Sequence, residues 1–146
     1  MSGGTVWVAS SNDGSVTRIA AKSGTPRQVA SVGQGAAGVA VGYGSVWVTN
    51  AAAGTVTRID ERTGNVLQPI QAGSGASAVA VGDGSVWSAN SLDSTVSQID
   101  PGTNTVTATW PVDDGPSGIA VAPKTVWVSN ELAGTLSRII RVGARS

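Results

Sequence analysis

An all-β fold, a β-propeller of about three and a half four-stranded blades per chain, is what this sequence predicts. Three observations predict it. Segments recur at a constant step of forty residues, each step holds four strand-like runs, and one run in every step centres on a tryptophan.

Several columns set the step together. VWVAS from Val6, VWVTN from Val46, VWSAN from Val86 and VWVSN from Val126 place Trp7, Trp47, Trp87 and Trp127 forty residues apart. The segments SVTRIA, TVTRID, TVSQID and TLSRII, from positions 15, 55, 95 and 135, keep the same spacing. A period near forty also suits paired helices, so the contents of the repeat must decide. Runs of Val, Ile and Thr are separated by Gly, Asn, Asp and Ser, and no amphipathic helical stripe appears. That is strand-and-turn chemistry. The repeats run 6–45, 46–85, 86–125 and a truncated 126–146, so residues 1–146 are expected to form one partial propeller.

The second blade is the clearest to divide, with strands expected at Gly38–Val41, Ser45–Thr49, Thr55–Asp60 and Asn65–Ile70. Between its first two strands the turn GYGS, like GDGS one repeat later, supplies residues that accept positive φ. The second strand, V-W-V, is apolar at consecutive positions, as befits a strand covered on both faces. Its tryptophan would wedge between neighbouring sheets, so Trp7, Trp47, Trp87 and Trp127 are the expected blade core. The fourth strand is polar and variable (PRQVAS, NVLQPI, TVTATW), which suits an outer edge.

With the strands of a blade labelled A to D from inside to outside, the chain reads BCD, ABCD, ABCD, ABC. Met1–Thr5 align with the A–B turn at Val41–Ser45, and the repeat pattern fails after Ile140. Such an array has two uncovered apolar faces and an unpaired strand edge. Pairing two copies about a two-fold axis would bury both faces and close a ring, so a homodimer is expected. Counting fourteen strands per chain gives seven blades. The phase of the strands favours eight, two of them three-stranded in each chain. A fragment, or an engineered excision from a longer propeller, also accounts for the clean cut at a turn.

The string GxAVGxGSVWVTNxxxGTVTRIDxxTGxV resembles the YVTN and virginiamycin B lyase-like β-propellers, over about Thr5 to Ile140. The resemblance implies the fold. For activity it implies a histidine acting with a carboxylate and a divalent metal to eliminate a lactone ester. No histidine is present, so that general-base chemistry does not transfer to this chain.

Composition narrows the remaining classes. Nine acidic and nine basic residues balance, which disfavours nucleic acid and a polybasic membrane contact as partners. Cysteine is absent, MSGGTVWVAS lacks the pattern of a signal peptide, and no apolar run is long enough to span a bilayer. Serines are plentiful, but no His, Cys or G-x-S-x-G elbow accompanies them. Phosphate-binding loops need a glycine-rich turn that opens a helix, whereas Gly33 and Gly35 precede a strand. No catalytic residue, cofactor site or metal site is expected.

Three further groups invite a functional reading. Asp113-Asp114 and Asn12-Asp13-Gly14 lack the spacing of a calcium loop and read as turns whose side chains cap their own backbone. Asn50, Asn90 and Asn130 close strand B in three repeats, with Ser10 in the fourth, and turn formation accounts for them too. Arg18, Arg58 and Arg138 form a column broken by Gln98. It could gather an anion, and pairing with a carboxylate or a solvated stem is the simpler reading. A ligand site in a propeller belongs at the channel mouth, where D–A and B–C loops converge. Gln34, Gln71, Asp93, Asp113, Asp114 and Glu131 are the candidates by position.

The functional expectation is therefore a non-catalytic, self-assembling scaffold or binding module whose partner is itself. The alternatives are a metal-assisted lyase or hydrolase of the virginiamycin B lyase-like type, working through carboxylates alone, and a sensory ectodomain fragment of a larger receptor or kinase.

Overall fold

A computed structural model describes residues 5–20, 22–33 and 35–140. Among these residues, fourteen strands form four antiparallel sheets, each a meander in chain order. The first sheet holds β1 (Thr5–Ala9), β2 (Ser15–Ala20) and β3 (Pro26–Ser31). The second holds β4 (Ala36–Gly42), β5 (Ser45–Asn50), β6 (Thr55–Asp60) and β7 (Ile70–Gln71). The third holds β8 (Ala76–Gly82), β9 (Ser85–Asn90), β10 (Thr95–Asp100) and β11 (Thr105–Pro111). The fourth holds β12 (Pro116–Ala122), β13 (Thr125–Asn130) and β14 (Thr135–Ile140). Among the described residues, the first sheet lacks an innermost strand and the last an outermost one. The inner strands β4, β8 and β12 run side by side.

The repeat in sequence is a repeat in register. Trp7, Trp47, Trp87 and Trp127 pair across their hairpins with Arg18, Arg58, Gln98 and Arg138. A bulge recurs at the start of each inner strand, between Ala36 and Gly38, Ala76 and Ala78, and Pro116 and Gly118. The A–B turns take positive φ at Tyr43 and Gly44, and again at Asp83 and Gly84. Two such residues give the primed turn whose twist suits a tight hairpin. Proline cannot adopt positive φ, and in the fourth sheet, with Pro123 in the turn, only Lys124 does so.

One strand departs from the sequence reading. Of the expected run Asn65–Ile70, the structure forms an isolated bridge between Ile59 and Val66 and a short strand at Ile70–Gln71. Pro69 sits between them and has no N–H to give the ladder.

The core divides into three clusters, one at each sheet junction. Trp7, Val16 and Ala30 of the first sheet meet Val46, Val48 and Ile59 of the second. Trp47, Val56 and Ile70 meet Val86 and Ile99, and Trp87 and Val96 meet Val126, Val128 and Ile139. One rule covers all three. The tryptophan face of each sheet packs on the valine face of the next.

That rule leaves one face bare at each end. On the first sheet Val6 and Val8 are 38% and 43% exposed. On the last sheet the exposed residues are Trp127, at 38%, and Leu136, at 63%. Their counterparts at the interior junctions, Val46, Val48, Val56, Trp47 and Trp87, are fully buried.

Candidate functional site

The D–A and B–C loops gather at one rim and are laced together through their backbones. Ala51, Ser91 and Glu131 donate N–H to the carbonyls of Gly35, Gly75 and Gly115 at 2.8–3.0 Å. In return Val32, Ala72 and Val112 donate to Gly14, Gly54 and Ser94. The fit is close enough to require glycine. At Gly75, where φ is 75°, a Cβ would stand 2.8 Å from Cγ of Leu92.

Three of the four carboxylates proposed from position are occupied in this lacing. Asp93 accepts the N–H of Ser74 at 2.9 Å, nineteen residues away. Asp113 accepts the hydroxyl of Thr135 at 2.6 Å, and Asp114 that of Ser94 at 3.0 Å. These contacts tie neighbouring loops, where for Asp113 and Asp114 the sequence suggested capping of their own turn. Asp13 does cap its own turn, accepting the N–H of Ser15 at 3.0 Å, and this bond holds its carboxyl below the ordinary aspartate range. Gln71 ends β7 with its side chain exposed, beside a shallow cavity of about 120 Å³ that Ala52, Ser74 and Leu92 help to line. Glu131 is exposed. Gln34 lies outside the described residues. Among the described residues, no three of His, Cys, Asp and Glu gather where they could hold a metal ion.

The asparagine column is buried in all three repeats. Asn50 donates to the carbonyls of Val32 and Gly33 and accepts the N–H of Ala53. Asn90 donates to Thr95 and Ser97 and accepts the hydroxyl of Ser88. Asn130 donates to Thr135 and Ser137, but Val128 stands where Ser88 would, and among the described residues its buried Oδ1 has no partner. This column holds strands and loops together inside each blade.

In the arginine column, Arg58 works differently from each reading of the sequence. Arg58 lies 4.7 Å over the ring of Trp47, a cation–π contact. Its Nε donates to Ser45 Oγ at 2.8 Å, and its Nη1 reaches the Pro101 carbonyl of the next sheet at 2.6 Å. Carbonyl and hydroxyl oxygens, not a carboxylate, receive it. Arg138 repeats the stacking on Trp127 at 5.6 Å. Where Gln98 breaks the column, it bridges Ser85 and the indole N–H of Trp110. The fifth tryptophan, which carries no repeat signal, thus supports the exception.

No protein-family model and no curated protein sequence matches the chain. Solved structures do. Kuenenia stuttgartiensis hydrazine synthase is similar at a TM-score of 0.86 and 21% identity, over 94% of this chain and 43% of that one. A catalytically inactive virginiamycin B lyase from Staphylococcus aureus with quinupristin gives 0.79 at 18% identity, over 94% and 48%. The computationally designed Ika4 protein gives 0.82 at 18% identity, over 96% of this chain and 87% of that one. At these identities the likeness is one of fold. The chain is an all-β partial propeller, spanning about half the length of the two enzyme chains it matches.

Proposed function

We propose that the chain is a non-catalytic, self-assembling β-propeller module, two copies of which close one ring of eight sheet positions. The observation that carries this reading is the complementarity of the two bare faces. Trp127 and Leu136 present the kind of surface that the valine face of a following sheet covers at every interior junction. Val6 and Val8 present the kind that a preceding tryptophan face covers. One copy leaves both faces in water, whereas two copies related by a two-fold rotation satisfy both at once. Coverage supports the same reading. The chain amounts to about half of two larger propeller chains, yet matches 87% of a designed one.

In that ring the D–A and B–C loops converge on the channel mouth. Gln71 and Glu131 are the polar side chains among the candidates left for a ligand there.

Light scattering after size exclusion tests the assembly. The expected mass is twice 14.4 kDa across a dilution series. A species of 14.4 kDa that melts cooperatively at high concentration and high dilution alike overturns it. Titration with magnesium or calcium tests the lyase-like alternative. Neither heat of binding nor a thermal shift is expected.

A further inference from the structure

We propose that the cleft between the first and second sheets binds a small oxyanion: a phosphate, sulfate or carboxylate group. Every residue involved comes from one junction inside one chain, so this site does not depend on ring closure.

The cleft encloses about 190 Å³, with Trp7 and Val29 forming its apolar wall. Arg18 from β2, Arg27 from β3 and Arg62 from the turn after β6 line it, and Glu61 is the one acid among the lining residues. Three guanidinium groups against one carboxylate leave an excess of positive charge in a concave space. Guanidinium presents paired N–H groups in the plane that an oxyanion accepts, so these side chains are the right chemistry as well as the right sign.

Comparison with the next repeat explains why the cleft is open. One junction further on, Arg58 spends its guanidinium on Ser45, the Pro101 carbonyl and Asn104 Oδ1 at 3.4 Å. At the first junction Thr5 replaces Ser45, Glu61 replaces Pro101 and Gly64 replaces Asn104. Arg18 therefore loses the side-chain amide that Arg58 uses. Arg27 then brings a second cation to the position that Leu67 holds one repeat later. Among the described residues, neither Arg18 nor Arg27 has a hydrogen bond or ion pair from its side chain. Arg62 does have a competitor, because it shares the field of Asp60 and helps hold that carboxyl ionised. A ligand must outbid Asp60 and Glu61 for these cations, which favours anions of more than one charge.

Inorganic phosphate, titrated at constant ionic strength against a chloride control, is the direct probe. The arginine side-chain N–H signals, followed by NMR, should saturate with a dissociation constant on the order of millimolar. Sulfate and acetate arms then rank the anion classes. Arg27→Gln should weaken binding about tenfold, while Glu61→Gln should tighten it several-fold. Gly64→Asn restores the amide that Arg58 meets elsewhere, at a position where Asn104 itself adopts a φ of 62°, and should weaken binding several-fold with a small loss of melting temperature, since its Cβ meets Val29 Cγ1 at 3.0 Å. Linear, unsaturated shifts with all three anions overturn the proposal, as do identical titrations for the wild type, Arg27→Gln and Gly64→Asn. The solution mass, measured on the same samples, reads ring closure separately.

Discussion

The interior junctions and the two end faces are built from the same columns of residues, yet they differ in what covers them. Trp47 and Trp87 are sealed, while Trp127 at the same register is more than a third exposed. Strand pairing is indifferent to this. β13 pairs with β14 in the register that β5 keeps with β6. Each sheet therefore forms from its own hairpins, and most of its hydrophobic stabilisation comes from its neighbours, as in other stacked repeats. The ends are ordinary blades with one neighbour missing.

The largest effect that could break this comparison is truncation of a sealed tryptophan. Trp47→Ala or Trp87→Ala should cost about 3–5 kcal/mol in urea unfolding. That is a large share of the roughly 5–15 kcal/mol by which domains are stable. Trp127→Ala, measured at dilutions where copies separate, should cost well under half as much. Equal penalties would mean that the last face is covered in the isolated chain.

Next in size is the loss of association. Leu136→Asp or Val8→Asp puts a charge on a bare face and should halve the mass seen by light scattering, leaving the β spectrum intact. Val48→Asp places the same charge inside an interior junction and should unfold the chain instead. The position of the charge decides between the two outcomes, since Val8 and Val48 occupy the same place on the same strand of consecutive repeats.

Much of this architecture was legible in the sequence because a forty-residue step fixes strand number, register and phase together. The BCD, ABCD, ABCD, ABC reading follows from where the columns start and stop, and the bare faces follow from the phase. Three things were not legible. The break in the outer strand of the second sheet turns on Pro69, which a polar, variable run conceals. The carboxylates Asp93, Asp113 and Asp114 bind donors on other loops, contacts that no local spacing encodes. The arginine cleft arises from an absence, since Gly64 removes an acceptor that only the neighbouring repeat shows to be needed.

Hydrogen bonding of the core tryptophans gives a finer contrast. Trp47 and Trp87 donate their indole N–H to the carbonyls of Gly42 and Gly82, at 3.1 and 3.3 Å. Trp7 is also buried in its cluster, at 7% exposure, but among the described residues its Nε1 has no partner. Phenylalanine removes the donor and part of the ring in both contexts. Trp47→Phe also strands a carbonyl, so it should cost about 1 kcal/mol more than Trp7→Phe in matched urea titrations. A reversed order would show that the bond at Trp47 contributes nothing net.

The smallest expected effect is the response to acid, and it separates the first sheet from the second by their turns. Asp60 accepts the N–H groups of Thr63 and Arg62 and feels the Arg62 charge, whereas Asp13 relies mainly on Ser15. Both carboxyls are held below 3.8. A folded value below the unfolded one means that the stabilisation is complete above 3.8 and is lost as pH falls through the lower folded value. With no histidine in the chain, stability should be nearly flat from about pH 5 to 8. Below that plateau Asp60→Asn and Asp13→Asn should each shallow the acid limb of the melting curve. A limb of unchanged slope in both variants would show that neither carboxyl contributes to the acid sensitivity.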